Sequence, residues 1–341
     1  MTNTPKHILV IRLSAMGDVA MTVPVLRAVT EQYPEVKLTV LTRPFFAPFF
    51  RNLENVTVFP IDLKDKHKGV LGLYKLSKTL KQLDIDAVAD LHNVLRTKIL
   101  KVFLLEKPFK QIDKGRTEKR ALIKGEVFKS LKSTHQRYAD VFETLGLKIE
   151  LQNPTFPEKK SIPEPILSKV DILNKRQWIG IAPFAQYPSK MYPLHLLKEV
   201  INNLKEDYTI FLFGGQTEKE QLDALTLSNK NVINIAGQFD LKQELDIISN
   251  LDIMVSMDSG NAHIAAMLGL RVLTIWGVTH PYAGFGAFNQ PESYHLVPNR
   301  KVYDKTPTSV YGNAYPEHYK DIAGSIKPNV IVDKIKAMLT N

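Results

Sequence analysis

The chain has 341 residues, 44% hydrophobic and 23% charged; this is more than one hydrophobic core usually organises and implies two domains of roughly 150 residues each. Its composition excludes a disordered, collagen-like or coiled-coil protein, and the absence of cysteine excludes disulfides, thiolate metal sites and a cysteine nucleophile, which fits a cytoplasmic address. A formal net charge of +10 invites an anionic partner, a solvated face of ordinary lysines being the alternative, while the first apolar run, His7 to Leu13, is far shorter than the roughly 20 residues of a membrane span.

In chain order, His7 to Leu13 reads as a strand, Ser14 to Asp18 as a tight loop, and the spacing of Val25, Leu26 and Val29 as a helix. Val36 to Leu41, Asn55 to Phe59 and Ala87 to Leu91 are further strands, with a helix over Leu71 to Leu83. From Lys107 to Arg137 the chain is basic, with ten Lys or Arg against three Asp or Glu. No zinc-finger, ribonucleoprotein or helix-turn-helix pattern accompanies that charge, so a nucleic-acid partner is disfavoured. Around residues 152–165 the pairs Asn153-Pro154, Phe156-Pro157 and Ile162-Pro163-Glu164-Pro165 interrupt both periodicities and mark an interdomain linker.

Beyond it the alternation restarts, with strands at Trp178 to Ala182, Thr209 to Phe213, Val232 to Ile235, Ile253 to Ser256 and Arg271 to Trp276. Helices lie between them at Leu194 to Leu204, Thr217 to Thr226, Lys242 to Asn250 and Asn261 to Leu268. Alternating strands and helices imply parallel sheets covered on both faces, hence an α/β fold of two doubly wound domains with ligands at the carboxyl ends of the strands. The expected division is 1–155 and 162–325, with a last helix, Val330 to Leu339, returning to the first domain.

The segment Met257-Asp258-Ser259-Gly260-Asn261-Ala262-His263 joins a strand to a helix. Asp258 or Ser259 can cap that helix, and the amides of Gly260 and Asn261 offer a seat for phosphate; His263 faces either a core partner or the same ligand. In the N-terminal loop Gly17 permits a tight turn, and Asp18 is either a helix cap or a general base toward an attacking hydroxyl. Arg12 either pairs with that carboxylate or meets a donor phosphate. Lys190, at the end of Ala182 to Lys190, can neutralise a diphosphate leaving group. Within Phe213 to Glu220, Glu218 binds ribose hydroxyls or merely favours a helix start, and Gln216 and Glu220 are its alternatives. Neither a Walker loop nor GxGxxG is present. Asp84-Ile85-Asp86 has a DxD spacing but precedes a strand at its amino end, so no metal site is assigned, and no cofactor is implied.

Taken together, ILVIRLSAMGDVAMTVPVLRAV and NIAGQFDLKQELDIISNLDIMVSMDSGNAHIAAMLGLRVLTIWGVTHP resemble glycosyltransferase family 9, the ADP-heptose:lipopolysaccharide heptosyltransferases. The resemblance implies a GT-B architecture, two facing Rossmann-like domains with an interdomain cleft, and inverting, metal-independent transfer of a sugar from a nucleotide donor to a lipopolysaccharide-core acceptor. Asp18 is then the catalytic base. Arg12, Gly17, Lys190, Glu218, Asp258, Ser259, Gly260 and His263 form the donor set, and Arg96, Arg116 and Arg120 are candidates for an anionic acceptor. The implied partners are ADP-heptose and an anionic glycolipid, with the protein cytoplasmic or peripheral at the inner membrane. Where the family shows Gly-Pro-Thr-Asp-Pro, this chain has Gly277-Val278-Thr279-His280-Pro281. The competing readings are a nucleotide-sugar epimerase on the same scaffold and a non-catalytic glycolipid-binding protein.

Overall fold

The computed structural model describes residues 4–170, 176–226 and 228–340. In chain order its strands and α-helices are β1 (His7–Ile11), α1 (Met16–Ala20), α2 (Thr22–Gln32), β2 (Lys37–Thr42), β3 (Val56–Pro60), α3 (Gly69–Lys81), β4 (Ala87–Asp90), α4 (Leu95–Phe103), β5 (Phe109–Gln111), α5 (Arg116–Ile123) and α6 (Thr134–Glu143). They continue with α7 (Glu164–Leu167), β6 (Trp178–Ala182), α8 (Leu194–Asn202), β7 (Thr209–Leu212), α9 (Lys219–Asp223), β8 (Val232–Asn234), α10 (Leu241–Ser249), β9 (Ile253–Met257), α11 (Gly260–Met267), β10 (Arg271–Ile275), β11 (His295–Leu296) and α12 (Pro328–Thr340).

Two compact units result. The first comprises residues 1–115 and 132–155, the second 116–131 and 156–341. Each holds one sheet, of order β3-β2-β1-β4-β5 in the first and β11-β10-β9-β6-β7-β8 in the second, and every recorded pairing is parallel. Strands buried on both faces explain the unbroken apolar runs: Ile8 to Ile11 and Ile253 to Met257 are all buried. In each sheet the strand order reverses beside the first strand, between β1 and β4 and between β6 and β9. In doubly wound folds ligands bind at such a reversal, outside the carboxyl ends of the strands. The Asp18 loop follows β1, and the Asp258 segment follows β9.

The strands read from sequence lie within one or two residues of those found, whereas the helix expected at Thr217 to Thr226 is a 3-10 turn, Gln216–Glu218, followed by the short α9. Two domain expectations are corrected. Residues 116–131 belong to the second unit, because Lys119 Nζ lies 4.0 Å over the Phe285 ring and the Leu131 amide donates to the Tyr282 carbonyl at 3.0 Å. The last helix, α12, does not return to the first unit. It packs on α8 and β9 and buries Ile331, Ile335 and Met338 in the core that holds Leu197, Val200 and Ile201. The apolar stripe falls at i, i+4 and i+7 in α12 and at i, i+3 and i+4 in α8, so each helix supplies the face the other must bury.

The proline-rich stretch is not bare linker either. It contains α7, with Pro165 in its first turn, and its backbone is tied to the second unit where the Lys160 amide donates to Ser249 Oγ and Asn250 Nδ2 donates to the Lys160 carbonyl.

Candidate active site

In the first unit Arg12, directly after β1, is buried. Its Nη2 pairs with Asp18 Oδ2 at 2.6 Å and its Nη1 donates to the Leu91 carbonyl at 2.7 Å, at the end of β4. Burial opposes the charge, but Tyr138, Asp18 and Asp90 around it more than offset that and hold the guanidinium protonated. Asp18 stands in the first turn of α1, where its Oδ2 also accepts the Ala15 amide at 3.2 Å. Both recorded contacts therefore fall on one carboxylate oxygen. The Tyr138 hydroxyl donates to the Asp18 carbonyl at 3.3 Å, fixing the turn from α6. Gly17 lies beside Asp18 with helical backbone, so the tight turn expected of it is not made by a left-handed glycine.

Two residues of this unit were not singled out from sequence. Asp90 is fully buried; its Oδ1 accepts the amides of His92 and Asn93, and its Oδ2 accepts Gln111 Nε2 at 2.8 Å. His92 is buried with Nδ1 unpartnered. An acid closing the strand Ala87 to Leu91 was the available signal, since the carboxyl ends of strands are where such folds place ligands.

In the second unit Lys190 ends a 3-10 turn after β6, and its Nζ meets Asp258 Oδ2 at 2.8 Å. Thr279 Oγ1 donates to the same oxygen at 2.8 Å. All three side chains are largely withdrawn from solvent. Two glycines make this possible. A Cβ on Gly277 would stand 2.1 Å from the Ser189 carbonyl oxygen, and Gly312, at φ +86°, lies where a Cβ would come within 2.7 Å of the Lys190 stem. Ser189 Oγ donates to the Gly312 carbonyl at 2.6 Å, so the tyrosine-rich stretch 282–319, unassigned from sequence, packs along the lysine.

Helix capping does not account for Asp258 or Ser259. Asp258 is taken by Lys190 and Thr279, Ser259 Oγ lies 3.1 Å from Ser256 Oγ, and Ser259 makes no side-chain cap bond to α11. The first amides of α11, beginning at Gly260, thus have no side-chain cap from Ser259 while the positive end of the helix lies beside Lys190 and Asp258. His263 is buried one turn on.

The remaining residues divide differently. Glu218 turns back onto its own loop, Oε2 accepting the Gly215 amide at 2.5 Å, so capping is the role it has here; Gln216 and Glu220 are exposed. Arg12 and Gly17, expected on the donor, belong with Asp18 in the first unit. Arg96, Arg116 and Arg120 are all exposed, but only Arg96 lies in the first unit; the other two are on α5 in the second, although all three fall within the stretch 1–155 expected to form one domain. Asp86 Oδ2 accepts the amides of Lys6 and His7, a structural use of the DxD stretch.

Two histidines give this chain an acid-side signature. Burial, reinforced by Arg12, Lys114 and Arg96, pushes His92 down to about 3; burial, with Arg300 and His295, pushes His280 down to about 4. Below about 6.5, the ordinary imidazole value, the unfolded chain takes up protons that these folded rings refuse. The stability held by the neutral rings is therefore complete above about 6.5 and is lost as pH falls toward the folded values, by at most about 1.4 kcal/mol per pH unit for each ring. Melting of His92→Asn and His280→Asn between pH 7 and 4.5 should show a shallower acid loss than wild type. An unchanged slope in both would mean that neither ring is buried neutral.

A family model described as glycosyltransferase family 9 (heptosyltransferase) matches residues 73–313. The lipopolysaccharide core heptosyltransferase OpsX of Haemophilus influenzae is 28% identical over 294 residues, covering 82% of this chain and 81% of that protein. The structure of Escherichia coli ADP-heptose lps heptosyltransferase II has a TM-score of 0.69 at 20% identity, covering 98% of each chain. A family 9 glycosyltransferase structure from Veillonella parvula reaches 0.75 at 17% identity, covering 98% of this chain and 97% of that one. With two Rossmann-like units, a Lys190–Asp258–Thr279 cluster at a strand reversal, and a family match running from residue 73 in the first unit to residue 313 in the second, this chain belongs to glycosyltransferase family 9 and is a glycosyltransferase of the GT-B fold.

Proposed function

We propose that the chain transfers a heptose from ADP-heptose to an anionic glycolipid of the lipopolysaccharide-core type, with inversion and without a metal ion, on the cytoplasmic side of a membrane. The observation that carries this is the ion pair of Lys190 with Asp258 beside the amino end of α11, where Ser259 makes no side-chain cap bond. A lysine charge and helix amides together suit the two phosphates of a nucleoside diphosphate. Asp18 takes the proton from the acceptor hydroxyl, whose oxygen bonds to the anomeric carbon as the bond from that carbon to the diphosphate oxygen breaks on the opposite face. The leaving group carries the electron pair, and Lys190 with the α11 amides stabilises its charge. The names of the Haemophilus and Escherichia relatives support the choice of donor and acceptor.

Thermal-shift measurements against ADP-, UDP- and GDP-sugars test the reading, because a ligand that binds only the folded state raises its apparent stability. ADP-sugars should raise the melting temperature most, and donor should be consumed only when a glycolipid acceptor is present. Preference for another base, or turnover of donor alone as in an epimerase, would overturn it.

A further inference from the structure

Six large apolar side chains of the first unit stand open to solvent on two adjoining helices: Val70, Leu71 and Tyr74 on α3, Leu95 and Val102 on α4, and Leu105 just past it, each 45–78% exposed. The two helices pack together, Tyr74 and Phe103 meeting at 5.4 Å and Lys81 pairing with Glu106 at 2.9 Å. Exposed Lys75, Lys78 and Lys98 are interleaved with them, and Lys78 Nζ lies 4.7 Å over the Tyr74 ring. Across 62–81 and 95–107 there are ten Lys or Arg against three Asp or Glu, where the whole chain has 45 against 35. Two of those three acids are already engaged, Asp62 by the amides of Lys64, Asp65 and Lys66, and Glu106 by Lys81.

Exposed apolar residues scattered singly need no explanation, but a cluster of this kind marks a contact surface. Its composition selects the partner. Cores of protein–protein interfaces are depleted of lysine, whereas apolar studs among lysines are what an anionic bilayer binds, the side chains entering the headgroup boundary and the cations meeting lipid phosphates. We propose that the face built from α3, α4 and the turn after α4 rests on an anionic lipid bilayer. The inference rests on the reading of the acceptor as a glycolipid, since such a substrate is itself held in a membrane; the contact as such involves neither Asp18 nor Lys190.

The full chain, without donor or acceptor, should co-sediment with vesicles of phosphatidylcholine mixed with phosphatidylglycerol, should bind pure phosphatidylcholine vesicles much more weakly, and should be released by salt. The variants Leu71→Glu with Leu105→Glu, and Lys75→Glu with Lys78→Glu, change exposed side chains and should melt as wild type does. Each should lower the vesicle partition coefficient by at least about tenfold. Failure of wild type to bind the anionic vesicles, equal binding to neutral ones, or unaltered partition of both variants would overturn the proposal. So would a wild-type dimer in lipid-free sedimentation that Leu71→Glu with Leu105→Glu dissolves, which would assign the face to a second copy. Transfer to a detergent-dispersed acceptor, measured in parallel, separates the two readings: a wild type that transfers but does not bind anionic vesicles sinks the docking face alone, and one that binds them but transfers nothing sinks the transfer reading alone.

Discussion

Replacing Asp18 by Asn should lower single-turnover transfer by about two to four orders of magnitude, the usual contribution of a positioned base, while leaving donor affinity unchanged. The bland alternative is concrete, because Oδ2 does accept the Ala15 amide and does pair with Arg12. Asn keeps the shape and much of the hydrogen-bonding capacity at such a position. It removes the negative partner of a buried guanidinium, but the Asp18 side chain is 29% exposed, and solvent screening keeps that loss modest. A purely structural Asp18 would thus give a variant that melts slightly lower and turns over normally. Retention of activity within about tenfold of wild type would remove Asp18 from the chemistry.

Removing Asp258 should destabilise the second unit as well as weaken donor binding. The carboxylate lies against Lys190 in a pair with side-chain exposures of 12% for Lys190 and 9% for Asp258. Truncating one member of such a pair leaves the other charge buried and costs about 3–5 kcal/mol, a fall on the order of 10 °C in melting temperature for a unit of this size. Lys190→Met should cost donor affinity by about tenfold to a hundredfold, the worth of a hydrogen bond to a charged group. Asp258→Ala combined with Lys190→Met should recover much of the stability and none of the donor binding. If calorimetry instead finds the double variant binding ADP-sugar like wild type, the pair is structural and the diphosphate sits elsewhere.

The strands of both sheets were legible because a strand buried on both faces needs a continuous apolar run, and His7 to Ile11 or Ile253 to Met257 can be read as nothing else of that length. Two of the three shortest strands were not. β5 is Phe-Lys-Gln and β11 is His-Leu, each too short to show an apolar run of its own. The Asp18 and Asp258 loops were legible for a related reason: each follows a strand at a reversal of strand order, where topology leaves amides and carboxylates for a ligand.

What the sequence determined by itself is therefore the local alternation, the fold class that alternation implies, and the candidate residues at the ends of its strands, all of which depend on neighbours a few positions apart. Only the tertiary structure decided which partner each candidate takes: Arg12 to Asp18 and Leu91, Asp258 to Lys190 and Thr279, Glu218 back to its own loop. It also decided that 116–131 and α12 belong to the second unit. Such pairings join residues up to about 150 positions apart, as between Leu131 and Tyr282. Their energies come from desolvation and close approach, which exist only once the chain has brought the two surfaces together.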